Sequence, residues 1–102
     1  MKVVTICGSM KFEKEMQKIA SDIAIEKGWC VLQCVYDIDV SNLTNEQLNL
    51  LKMQHLKRID LSNAIYVVNF NGYIGNSTKD EIEYAKKQGK EVIYHYNEKG
   101  SR

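Results

Sequence analysis

The sequence predicts an α/β domain built on a parallel sheet with helices on both faces. Three observations lead there. Short apolar runs alternate with longer segments of helical period, in the order βαβαβαβ. Glycines fall at the joints between those segments, at Gly8, Gly28, Gly72, Gly75 and Gly89, and no proline interrupts them. The length of 102 residues and a hydrophobic content of 44% suit one compact domain.

Each element has its own justification. Residues 2–7 are rich in β-branched side chains and end at Gly8-Ser9, which makes a first strand. A helix follows over residues 11–27, because Phe12, Met16, Ile19, Ala20 and Ile23 recur at helical spacing, and Gly28 stops it. The apolar run 29–36 reads as a second strand covered on both faces. Residues 37–43 form a loop, and Thr44-Asn45-Glu46-Gln47 is a capping-box pattern opening a second helix to about residue 60. Residues 64–69 are the third strand and 71–77 a glycine-punctuated loop. Residues 78–88 form the third helix, closed by Gly89, and 91–96 the last strand, with 97–102 a frayed tail.

Right-handed crossovers make a flavodoxin-like strand order of 2-1-3-4 the simplest arrangement, a three-layer sandwich. Ligands in such sheets bind beyond the carboxyl ends of the strands, where the order reverses. That crevice is expected between strands one and three, lined by residues 7–11 and 69–78.

Composition excludes several classes. With 14 basic and 13 acidic residues, the formal charge of +1 gives no electrostatic footprint for a nucleic acid polymer. No apolar run approaches the ~20 residues that cross a bilayer, so no membrane partner is expected. The opening residues read as a strand and not as a signal peptide, which makes the cytoplasm the expected location. Cys7, Cys30 and Cys34 have neither zinc spacing nor an even count for disulfides. They are expected to be reduced thiols, and no metal or cofactor is expected.

Two side chains stand out. Thr78, Ile82, Ala85 and Gly89 form one stripe of the third helix, and Glu81 sits at its edge beside the expected crevice. A carboxylate there can serve as nucleophile or base. It can equally complete a capping box with Thr78, bonding only backbone. His55 falls amid Leu48, Leu51, Ile59 and Ser62 on one face of the second helix, either as a core residue or as a donor to a ligand. The loops Cys7-Gly8-Ser9, with Lys11 beside it, and Gly75-Asn76-Ser77-Thr78 offer backbone N–H groups suited to a phosphate or carboxylate. Neither loop matches a dinucleotide fingerprint or a P-loop.

Taken together, these segments resemble a known family. Ile6-Cys7-Gly8-Ser9-Met10-Lys11 is similar to the strand-one signature of the nucleoside 2-deoxyribosyltransferase superfamily, which includes nucleoside 5′-monophosphate N-glycosidases. Residues 60–69 resemble its third strand, and Gly75 to Ala85 resembles the segment bearing its catalytic glutamate. Gly89-Lys90 and the apolar strand after it extend the resemblance over nearly the whole chain. The resemblance implies a retaining double displacement in which Glu81 attacks C1′ of the sugar and expels the nucleobase. It further implies a nucleoside or nucleotide substrate, no cofactor, and a homodimer or larger homo-oligomer. His55 stands where the family commonly has an acid facing the base, and Thr5 where it has an aromatic residue on strand one. Residues 74–76 hold no acid where transferases carry an aspartate. Two other classes remain open: a non-catalytic nucleotide-binding sensor of the same fold, and a flavin-binding or receiver domain. For the last, the first loop lacks the necessary acidic cluster.

Overall fold

The computed structural model describes residues 1–96, so the tail expected at 97–102 lies outside the described residues. Four parallel strands form one sheet in the order β2-β1-β3-β4, the flavodoxin-like arrangement. They are β1 (Val3–Gly8), β2 (Cys30–Leu32), β3 (Ala64–Val68) and β4 (Glu91–Tyr94). The three helices are α1 (Glu13–Asp22), α2 (Asn45–Asp60) and α3 (Asn76–Lys87). No helix among the described residues is long and apolar enough to cross a membrane.

The alternation of side chains along β1 and β3 divides the core into two layers. Val4, Ile6, Ala64, Tyr66 and Val68 face one side and pack on Met16, Ile19 and Ala20 of α1. Cys7, Ile65 and Val67 face the other and pack on Ile59 of α2 and on Ile82 and Ala85 of α3. Both central strands are thus covered twice, which is why their residues read as unbroken apolar runs. Gly8 closes β1 at a crowded point. A Cβ there would lie 3.2 Å from Met16 Sδ and from Val68 Cβ, so glycine is kept for close packing.

The helix ends follow the sequence with one exception. A 3-10 turn (Met10–Phe12) leads into α1, a π-helical turn (Ile23–Lys27) extends it, and Gly28 ends it at φ 67°. Thr44 caps α2 as expected: its hydroxyl accepts from the Gln47 N–H at 3.1 Å, and its own N–H donates to Gln47 Oε1 at 2.9 Å. The exception is α3, which starts at Asn76 with Gly75 as N-cap and no side-chain cap. Thr78 is buried inside the first turn. The capping box between Thr78 and Glu81, one of the two readings open for Glu81, does not form, because the helix begins two residues earlier.

The second strand is corrected more strongly. β2 is three residues long, pairs only with Val3 to Thr5, and leaves Cys30 exposed. Residues 33–36 peel away from the sheet. Tyr36 packs against the α1 layer, and the Asp37 N–H donates to Glu13 Oε1 at 2.7 Å with Asp37 at φ 61°. An apolar run serves a loop that packs on one side as well as it serves a strand, so periodicity does not separate them. Regular β4 likewise stops at Tyr94. Hydrogen bonds nevertheless continue to residue 96, through His95 N–H to Val67 O at 2.8 Å and a two-way clamp between Asn69 and Tyr96 at 2.9 Å.

A Glu–His–Cys cluster at a candidate active site

Because β2 ends early, the carboxyl half of β1 opens onto a cavity of about 650 Å³. Residues 34–40 form one wall, α2 another, and α3 the third, with Ile6, Gly8 and Met16 at the base. Leu48, Leu51, Leu56, Val35 and Ile38 supply apolar surface. Glu81, His55, Arg58, Lys52, Asp37, Asp80 and Ser77 supply polar groups. A cavity of this size, apolar with a few convergent polar side chains, is the usual form of a small-molecule site.

The expected crevice between strands one and three is displaced. The cavity lies on the β2 side of β1, and its second wall is the 34–40 loop, while residues 69–76 take no part. Of the residues singled out from sequence, Glu81, His55, Gly8 and Ser77 line it, with Cys7 directly beneath. Ser9, Gly75, Asn76 and Thr78 do not line it. Ser9 accepts from the Lys11 N–H at 3.4 Å, an N-cap for the short turn that follows. Lys11 holds its ammonium 3.3 Å from the centroid of the Tyr73 ring and so points elsewhere.

Three elements bring the cluster together. Cys7 comes from β1, His55 from the buried face of α2, and Glu81 from the second turn of α3. His55 Nε2 lies 3.5 Å from Cys7 Sγ and 3.6 Å from Glu81 Oε1. Burial pulls the His55 pKa down to about 4, with the neighbouring Arg58 charge adding to the effect. Burial pushes Glu81 up to about 7 against a hydrogen bond from Cys7, with Asp80 raising it further and Lys52 lowering it. The pair is therefore not an ion pair near neutral pH: His55 is uncharged and Glu81 is poised between its two forms. Burial also lifts the Cys7 thiol well above its ordinary value, and Glu81 lifts it more. Cys7 is a thiol donor to the carboxylate and not a nucleophile, which needs a lowered pKa and access.

Cys7, His55 and Glu81 have donor types that suit zinc, and their donor atoms lie within 4.8 Å of one another. The contact that Arg58 makes with the far side of the His55 ring argues against that use. Arg58 Nη1 stands 3.4 Å from His55 Nδ1, and a guanidinium can only donate. Nδ1 must accept, Nε2 carries the hydrogen, and the nitrogen facing the cluster has no lone pair for a metal.

Sequence reasoning missed Arg58, Lys52, Asp37 and the cavity-lining role of Lys87. Arg58 carried a usable signal, since it lies three residues after His55 on a helix and such pairs face one another. Asp37 carried none, because its placement depends on where β2 leaves the sheet.

Fold and site define a small parallel α/β domain with a ligand-sized cavity at the carboxyl end of β1 and a poised, partly buried carboxyl in its wall. Searched against protein-family models and curated proteins, the chain matches none.

Proposed function

We propose that this protein cleaves or transfers at the N-glycosidic bond of a nucleoside or its 5′-monophosphate, with Glu81 as nucleophile. The observation that carries the reading is the Glu81 carboxyl itself. It lies in the wall of an apolar cavity, free of any capping duty, with a pKa near 7. A carboxylate of raised pKa is a stronger nucleophile than an ordinary one, yet it is still ionised in a large fraction of molecules at neutral pH. The motif resemblance to the nucleoside 2-deoxyribosyltransferase superfamily assigns the same residue the same role.

In the first step the Glu81 carboxylate forms a bond to C1′ and the C1′–N bond breaks. Its electron pair passes to the base nitrogen, which takes a proton from water. In the second step water or a second base attacks C1′, gives its proton to the hydroxide left by the first step, and Glu81 leaves as carboxylate. The apolar walls suit a flat base, and Ser77 near the start of α3 offers a hydroxyl on the same wall to a polar group of the sugar or its phosphate. Cys7 hydrogen-bonds the carboxylate, and His55 Nε2 stands 3.6 Å from it. A module that only binds nucleotide has no use for a partly buried carboxyl that weakens the fold, which favours the enzyme over the sensor.

Self-association into a homodimer belongs to the same reading, since a 102-residue domain leaves the cavity open to solvent on one side. The test is to incubate purified protein with a panel of nucleosides and monophosphates and follow free base by chromatography. Base release by wild type, reduced at least tenfold in Glu81→Gln, is the expected result. A Glu81→Gln protein retaining more than a tenth of the rate would overturn the covalent role.

A further inference from the structure

His55 and Arg58 stand one turn apart on α2, and their contact fixes something the cluster distances alone do not. A neutral imidazole carries its hydrogen on one nitrogen only, and the partner of the other nitrogen decides which. Nδ1 lies 3.4 Å from Arg58 Nη1. The guanidinium has N–H groups and no acceptor, so Nδ1 must present its lone pair. The hydrogen then sits on Nε2, which faces Cys7 Sγ at 3.5 Å and Glu81 Oε1 at 3.6 Å. The tautomer is thus assigned from the hydrogen-bond network.

We propose that Arg58 is a positioning residue that locks His55 in its Nε2–H form, so that His55 turns an N–H and never a lone pair toward Cys7 and Glu81. The proposal rests on the reading of Glu81 as nucleophile. In the opposite tautomer the bare Nε2 would take the hydrogen of protonated Glu81, and that O–H···N pair would favour the acid form and occupy the attacking oxygen. With Arg58 in place, the interaction open at that nitrogen is N–H···O, which favours the carboxylate. The groups facing His55 are Arg58 on α2, Cys7 on β1 and Glu81 on α3. Lys52 and Asp80 act on Glu81, and Cys34 on the 34–40 wall lies within the field of Arg58. Arg58 is well placed to act steadily. Its carbonyl accepts from Ser62 Oγ at 2.8 Å, and Ser62 is itself 2.7 Å from the buried Thr5 hydroxyl. That anchor is independent of the guanidinium, so a side-chain substitution leaves it in place.

Nitrogen-15 NMR of the imidazole ring reads the tautomer directly, in the full chain without ligand, from pH 5 to pH 8. Wild type is expected to keep a protonated Nε2 and a bare Nδ1 throughout. In Arg58→Met, Nδ1–H should appear at the acid end, where Glu81 is protonated and can donate to Nε2. Arg58→Lys keeps charge and N–H donors and should restore the wild-type pattern, which a merely structural role would not predict. In base release, Arg58→Met should lose about tenfold or more in kcat, with Arg58→Lys nearer wild type. Nδ1–H in the wild-type protein, or an Arg58→Met spectrum that follows wild type at every pH, would overturn the proposal. The wild-type spectrum decides the tautomer even if Arg58→Met fails to fold. If wild type released no base from any substrate, the glycosidase reading would fall, while the tautomer would still be decided by the NMR.

Discussion

Glu81→Gln removes a charge from the cluster while keeping the shape of the side chain, and its effect on stability follows from the titration of the carboxyl. The folded pKa of about 7 stands above the ordinary value of 4.5. The folded state therefore binds this proton more tightly than the unfolded chain does. Below about pH 4.5 both states are protonated and Glu81 carries no penalty. Between pH 4.5 and pH 7 the folded state holds more protons, so stability falls as pH rises, and above pH 7 the full penalty remains. Each unit of difference is worth about 1.4 kcal/mol. With the side chain 20% exposed, the penalty is about 2–3 kcal/mol after a modest discount for solvent. Glutamine is neutral at every pH, so Glu81→Gln should match wild type near pH 4 and exceed it by about 2–3 kcal/mol at pH 8. For a domain of this size that is a rise of roughly 10–15 °C in Tm. Thermal and urea denaturation at pH 4, 6 and 8 would measure it. A variant no more stable than wild type at pH 8, or a difference independent of pH, would refute the reasoning.

Three further outcomes follow from the same structure. His55 has its pKa lowered to about 4 from 6.5, so its contribution is present above pH 6.5 and is lost as pH falls through 4. The stability of His55→Gln relative to wild type should move in the variant's favour by about 2–3 kcal/mol between pH 7 and pH 4, read by denaturation. Gly8→Ala should destabilise by about 1–3 kcal/mol, because its Cβ meets Met16 Sδ and Val68 Cβ at 3.2 Å and the Val68 carbonyl at 3.3 Å; an unchanged urea midpoint would contradict that. Sedimentation at high micromolar concentration should give at least a dimer, and a monomer alone would count against assembly around the cavity.

Much of this architecture is legible in the sequence, and the reasons are local. The period of α1, the Gly28 stop and the Thr44–Gln47 box are short-range patterns with one physical solution each, and all three are present. The strand order follows from alternating elements and the handedness of crossovers. Glu81 faces the cavity because the stripe of Thr78, Ile82 and Ala85 fixes the rotation of α3. What failed depends on distant contacts. Thr78 and Glu81 have the spacing of a capping box, but the helix starts at Asn76, and nothing in four residues reveals that. The apolar run after Gly28 hides the point where β2 leaves the sheet, and with it the 34–40 wall and Asp37. Lys11 sits near the expected crevice in sequence, yet the Tyr73 ring holds its charge elsewhere.

The covalent bond proposed between Glu81 and C1′ of the sugar can be trapped. A 2′-deoxy-2′-fluoro nucleoside, or its 5′-monophosphate, slows both steps of such a displacement by destabilising positive charge at C1′. Mass spectrometry of the protein after incubation, followed by peptide mapping, reads the outcome directly. A mass increase equal to the fluorosugar is expected on the peptide containing Glu81, absent from Glu81→Gln. Base release without any adduct in wild type, or an adduct on Cys7 or another side chain, would contradict it.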